Sequence, residues 1–136
     1  MSKAQVSVEY IIIMGFVAVI SIPLMVIYYD YTTASNEEII SRQIFQVAQK
    51  IVDAAESVYY LGEPSQTTLK VHIPNQIAEA TIEQGKEVIF KMRTKTGIAD
   101  IVQVSSVNIT GTLPITQGIH YITIKAEEGK VLVSYT

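Results

Sequence analysis

The sequence predicts an α+β protein: a long N-terminal helix, first apolar and then amphipathic, packed on a C-terminal antiparallel β-sheet or β-sandwich head. Three observations predict it. The stretch from Tyr10 to Tyr29 contains no Lys, Arg, Asp or Glu. Ile40, Ile44, Val47, Ile51, Ala54, Val58 and Leu61 then recur at alternating spacings of four and three, which is one apolar stripe on a helix. Beyond Pro64 the chain changes to short β-branched runs separated by glycine-containing turns.

The apolar run, YIIIMGFVAVISIPLMVIYY, is long enough to cross a bilayer, since a helix of that length at ~1.5 Å per residue spans roughly 30 Å. Tyr10 at one end and Tyr28, Tyr29 and Tyr31 at the other resemble the aromatic belts of a membrane interface. Pro23, inside the run, removes a backbone donor and crowds the preceding turn, so a helix kink is expected there. Ser35-Asn36-Glu37-Glu38 fits a capping box that would restart a helix after a bend. Nothing in YDYTTAS forces a break, however, and a single helix over residues 5–62 is favoured, with an apolar part over 10–29 and an amphipathic part over 36–61. Gly62 suits the left-handed residue after a helix end, and Pro64 prevents continuation.

Residues 65–136 are expected to form the β domain. The runs TTLKVHI, EATIE, EVIFKMR, IADIVQV, SVNIT, IHYITIKAE and KVLVSYT read as strands. EQGK and EEGK have the glycine and length of hairpin turns. No helical pattern separates the strands, so an antiparallel arrangement is expected, with the amphipathic helix laid against it.

Composition narrows the function. The chain has 136 residues, a formal net charge of −3 and no cluster of Lys and Arg, which argues against nucleic acid as a partner. It has no cysteine, so disulfides and thiol chemistry are excluded. His72 and His120 fall in separate strand-like runs, and His72 alternates with apolar neighbours, so both read as strand residues and no metal site is expected. No nucleophile–base constellation, phosphate loop or cofactor motif is present, and the reading is of a non-enzyme without a cofactor.

The front of the chain carries the most specific signal. A short leader, Met1 to Ala4, contains Lys3 and is followed by Gln5-Val6-Ser7-Val8-Glu9-Tyr10 and then the apolar run. A secretory signal peptide would place small residues after the run, where this chain has tyrosines. Glu9, at the entrance to a segment suited only to lipid or a protein core, needs either head groups or a partner charge.

Gln5, Ser7, Glu9 and Tyr10 match the fixed positions of Q-x-S-x-E-Y, and in this the chain resembles an archaeal type IV pilin precursor with a class III signal peptide. The resemblance implies that a membrane-bound prepilin peptidase cuts between Ala4 and Gln5, removing the leader 1–4. It further implies that a pilus assembly platform and its ATPase draw subunits from the membrane into an extracellular filament, a helical homopolymer whose core is made of the apolar helices. Cleavage would create an ammonium at Gln5 that can approach Glu9 of a neighbouring subunit. On the same reading Pro23 becomes a flexible point of the filament. The sequon Asn108-Ile109-Thr110 becomes a candidate N-glycosylation site of an exported protein. The competing functions are a minor or pseudo-pilin, and a membrane-anchored surface-binding domain that never polymerises.

Overall fold

A computed structural model of the chain describes the backbone from residue 2 to 136 and the side chains from residue 7 to 136. The chain divides into two units, one ending at Glu37 and the other running from Glu38 to Thr136. Helix α1, Ser2–Leu61, passes through Pro23 and through the capping-box sequence without a break. The hydroxyls of Thr32 and Thr33 donate to the carbonyls of Tyr28 and Tyr29 at 2.9 and 3.0 Å. These side chains share carbonyls of the preceding turn, a back-bond that a continuous helix accommodates at a small cost. Pro23 has no N–H to offer the carbonyl of Val19, so one helical bond is missing at that level.

The helix ends as the sequence predicts. Gly62 takes φ 74°, and its N–H is shared between the carbonyls of Val58 (3.2 Å) and Tyr59 (3.1 Å). The buried face is Ile44, Val47, Ala48, Ile51, Val52, Ala55 and Val58. This differs from the expected stripe in three places, the first being Ile40, which is only half-buried. Leu61 is 72% exposed, and Ala54 is only half-buried. A seven-residue repeat drifts about 20° per heptad on a straight helix. Over the three heptads from Ile40 to Leu61 the expected stripe therefore turns away, and Ala48, Val52 and Ala55 take its place on the core.

Seven strands follow: β1 Gln66–Ile73, β2 Ile77–Glu83, β3 Glu87–Thr94, β4 Gly97–Val104, β5 Ile109–Gly111, β6 Gly118–Glu127 and β7 Lys130–Tyr135. They form two sheets, β1-β6-β7-β5 and β2-β3-β4. The β2–β3 hairpin turns at Gln84 and Gly85, both at positive φ (51° and 68°), with Lys86 N–H donating to the Glu83 carbonyl at 3.1 Å. All pairings are antiparallel except one. β5 runs parallel to β7, Ile109 to Gly111 beside Val131 to Val133, where an antiparallel sheet was expected. Parallel neighbours need a long connection; here residues 112–129 supply it, with β6 inside the loop instead of a helix.

The inner faces of both sheets and the helix stripe enclose one core, with Phe90, Ile73, Ile109, Ile122, Ile124, Val131 and Val133 essentially inaccessible. β5 approaches β7 most closely at Gly111, whose φ is 135°; a Cβ placed there would lie 1.9 Å from the Val133 carbonyl oxygen.

Two polar clamps hold the helix, one to strand β4 and one to the loop that follows it. Gln103 Nε2 donates to Gln49 Oε1 at 2.7 Å. The carboxylate of Glu56 accepts from the backbone N–H of Ser106 (2.9 Å) and from its hydroxyl (2.8 Å). Those two hydrogen bonds, the backbone one foremost, hold the Glu56 carboxyl below the ordinary glutamate range. A folded-state pKa below the unfolded one contributes stability above the unfolded pKa, and that contribution is lost as pH falls through the folded value. Glu56→Ala is therefore expected to lower the melting temperature of the head by the equivalent of about 1 kcal/mol near neutral pH, because the site is open to water. The difference from the parent should shrink below about pH 4, where an ordinary glutamate is already protonated. Thermal unfolding as a function of pH measures both.

Candidate assembly surface

The N-terminal unit presents a helix with no polar face. Phe16, Val17, Val19 and Ile20 span more than a full turn and are 66, 50, 70 and 44% exposed. The same holds from Val8 to Tyr31, where the large apolar side chains are exposed in every direction. None of the helix's most apolar stretch is buried. Burying one such side chain is worth about 1.5–3 kcal/mol, so a helix apolar all round requires lipid or protein on every side. It is long and apolar enough to cross a membrane.

Glu9 immediately precedes the uncharged run and is exposed, with Tyr10 beside it. Ser7 is exposed and lies inside the helix rather than at its start. The side chains of Lys3, Ala4 and Gln5 lie outside the described residues, as does Met1, and with them the cleavage point and the Gln5 half of the proposed pair. Helical spacing alone puts residues 5 and 9 one turn apart along a single helix face.

The histidines are brought closer than the sequence suggests but not together. His72 and His120 lie on the adjacent strands β1 and β6, where His72 pairs with Ile119 and His120 with Val71. His72 projects outward, whereas His120 alternates with the buried Ile122 and Ile124 and therefore faces the other side of the sheet. His120 Nε2 is 2.9 Å from the Thr116 carbonyl oxygen, and its ring packs edge-on to Tyr135 with centroids 6.0 Å apart. Among the described residues no group of three His, Cys, Asp or Glu side chains converges on one point.

Asn108 is exposed immediately before β5. The third residue of its sequon is not: Thr110 Oγ1 is buried and has no hydrogen-bond partner. Backbone bonds fix the segment on both sides, from Ile109 N–H to Gly85 O (2.6 Å) and from Val131 N–H to Asn108 O (2.8 Å).

Alternation along each strand shows which residues share a face, but only the pairing reveals which strands lie side by side. The outer surfaces of the two sheets therefore escape sequence reasoning, including the grouping of Lys70 with Tyr121 and of Lys91 with Asp100. The chain matches no family model, no curated protein and no solved structure.

Proposed function

We propose that the chain is the structural subunit of an extracellular archaeal type IV pilus that serves adhesion. The observation that carries this reading is the coincidence of Q-x-S-x-E-Y with the entrance to a helix that has no polar side. The precursor sits in the membrane through the apolar helix, with Lys3 keeping the leader on the cytoplasmic side. Prepilin peptidase releases the subunit at Ala4–Gln5, and the assembly platform moves it into the filament. There the apolar helices exchange lipid for one another. The head supplies the outer surface, with Asn108 as a site for N-linked sugar.

Processing is the direct test. Mass spectrometry of native material is expected to find a chain that begins at Gln5, and negative-stain images should show filaments on the cells. An intact Met1, or a start near Ser35, would end this reading. A Gln5 cyclised to pyroglutamate would leave processing in place but remove the ammonium proposed to meet Glu9.

A further inference from the structure

The pairing of the strands sorts the exposed charges of the head by face. On sheet β1-β6-β7-β5 the outward residues are Gln66, Thr68, Lys70 and His72 of β1, facing Lys125, Thr123, Tyr121 and Ile119 of β6. Leu132 and Ser134 of β7 continue this surface. Its charged groups are Lys70 and Lys125, together with a Lys130–Glu127 pair at 3.7 Å that cancels itself. The surface is therefore basic, in a protein whose formal net charge is −3.

Sheet β2-β3-β4 is the reverse. Outward rows run Glu83–Glu87–Val104, Thr81–Ile89–Val102, Glu79–Lys91–Asp100 and Arg93–Ile98. Four carboxylates stand against two cations, and one of those cations, Lys91, is held by Glu79 at 2.8 Å. Each face also exposes apolar side chains among its charges: Ile119 and Tyr121 on the basic face, Ile98, Val102 and Val104 on the acidic one. Exposed apolar residues rimmed by charge are the usual make-up of a protein interaction surface.

We propose that the basic outer face of one head docks on the acidic outer face of the next copy of the chain. The inference rests on the subunit reading above and adds a second contact to it, outside the apolar helices. Lys70 and Lys125 would meet Glu83, Glu87 and Asp100, while Ile119 and Tyr121 cover Val102 and Val104. Two different faces of one molecule make a heterologous contact, which repeats from copy to copy and builds an open helical array instead of a closed pair. Like faces repel, so the charges also forbid the isologous arrangement.

A charge exchange in the full chain, expressed in cells, tests this. Lys70→Glu with Lys125→Glu, and separately Glu83→Lys with Asp100→Lys, are each expected to reduce filament number by about tenfold or more. All four substitutions together restore opposite signs and should return filaments to within about twofold of the parent. The absence of native cysteine allows a second measurement. Val102→Cys with Tyr121→Cys, treated with a short bismaleimide, should give a ladder of crosslinked multimers, and neither single variant should pass the dimer. Normal filaments in both reversed variants, or failure of the fourfold variant to recover, would overturn the docking. So would filaments that yield no ladder, and in that case the subunit reading stands. A ladder on cells without filaments supports the docking and removes the filament reading instead.

Discussion

Gly111→Ala is expected to destabilise the head by more than any other single methyl group added to it, by about 4 kcal/mol or more. The added Cβ would stand 1.9 Å from the Val133 carbonyl oxygen and 2.8 Å from its carbon, both backbone atoms of a neighbouring strand. Backbone cannot swing aside as a side chain can, so β5 must separate from β7. A domain of this size is typically stable by about 5–15 kcal/mol, and the substitution removes a large part of that. Gly118 provides the comparison, because its φ of 138° matches that of Gly111 while nothing lies within 4 Å of its Cβ position. Gly118→Ala carries the dihedral penalty alone, about 1 kcal/mol. Thermal unfolding of residues 38–136 should place Gly118→Ala a few degrees below the parent and leave Gly111→Ala unfolded or nearly so. Equal shifts in the two variants would mean that dihedral preference, not the approach of β5 to β7, governs position 111.

Glu9→Ala should leave expression, membrane insertion and leader cleavage close to normal while abolishing filaments or reducing them severely. In the proposed membrane-bound precursor Glu9 would lie at the head-group end of the apolar helix, where losing a carboxylate costs little. In a dry filament core the same loss would strand the ammonium of a neighbouring Gln5. Breaking a buried charge pair by removing one member typically costs ~3–5 kcal/mol, and here the loss recurs at every subunit. Glu9→Gln is expected to fall between, since an amide can accept the hydrogen bond but cannot offset the charge. Counting filaments by electron microscopy, with immunoblots for the processed chain, separates assembly from processing. Normal filaments on Glu9→Ala cells would reduce Glu9 to a residue that borders the membrane.

Local chemistry explains what could be read from the chain beforehand. The end of α1 was legible because Gly62 and Pro64 act on their own backbone, and the β2–β3 turn because Gln84-Gly85 carries its own φ preference. The strands were legible as segments for the same reason. Their partners were not. Alternation marks Thr68, Lys70 and Thr123 as outward but cannot say that Thr68 meets Thr123, 55 positions away, with hydroxyls 3.3 Å apart. The parallel β5–β7 pair was hidden likewise, because three residues carry too little pattern to reveal direction. Leu61 misled by fitting a seven-residue repeat better than a real helix does. At the N-terminus the motif named Glu9 directly, but the group proposed to balance it would come from another copy of the chain, and no single sequence displays that geometry.

The position of β7 dictates an order of events. It follows the other six strands in synthesis yet lies inside its sheet, between β6 and β5, where Val131 and Val133 fill the core. Until Lys130–Tyr135 has emerged, β5 has no neighbour in its sheet, and the stripe from Ile44 to Val58 waits without part of its cover. At ~5–20 residues per second of synthesis, the chain from Asn108 to Tyr135 takes seconds to appear, during which β5 lacks its sheet partner. In the folded head the Thr110 hydroxyl is buried. The head is thus a latch whose last-made strand is its bolt; if Asn108 carries a sugar as proposed, occupancy of the site would record whether attachment or the closing of β7 ran first.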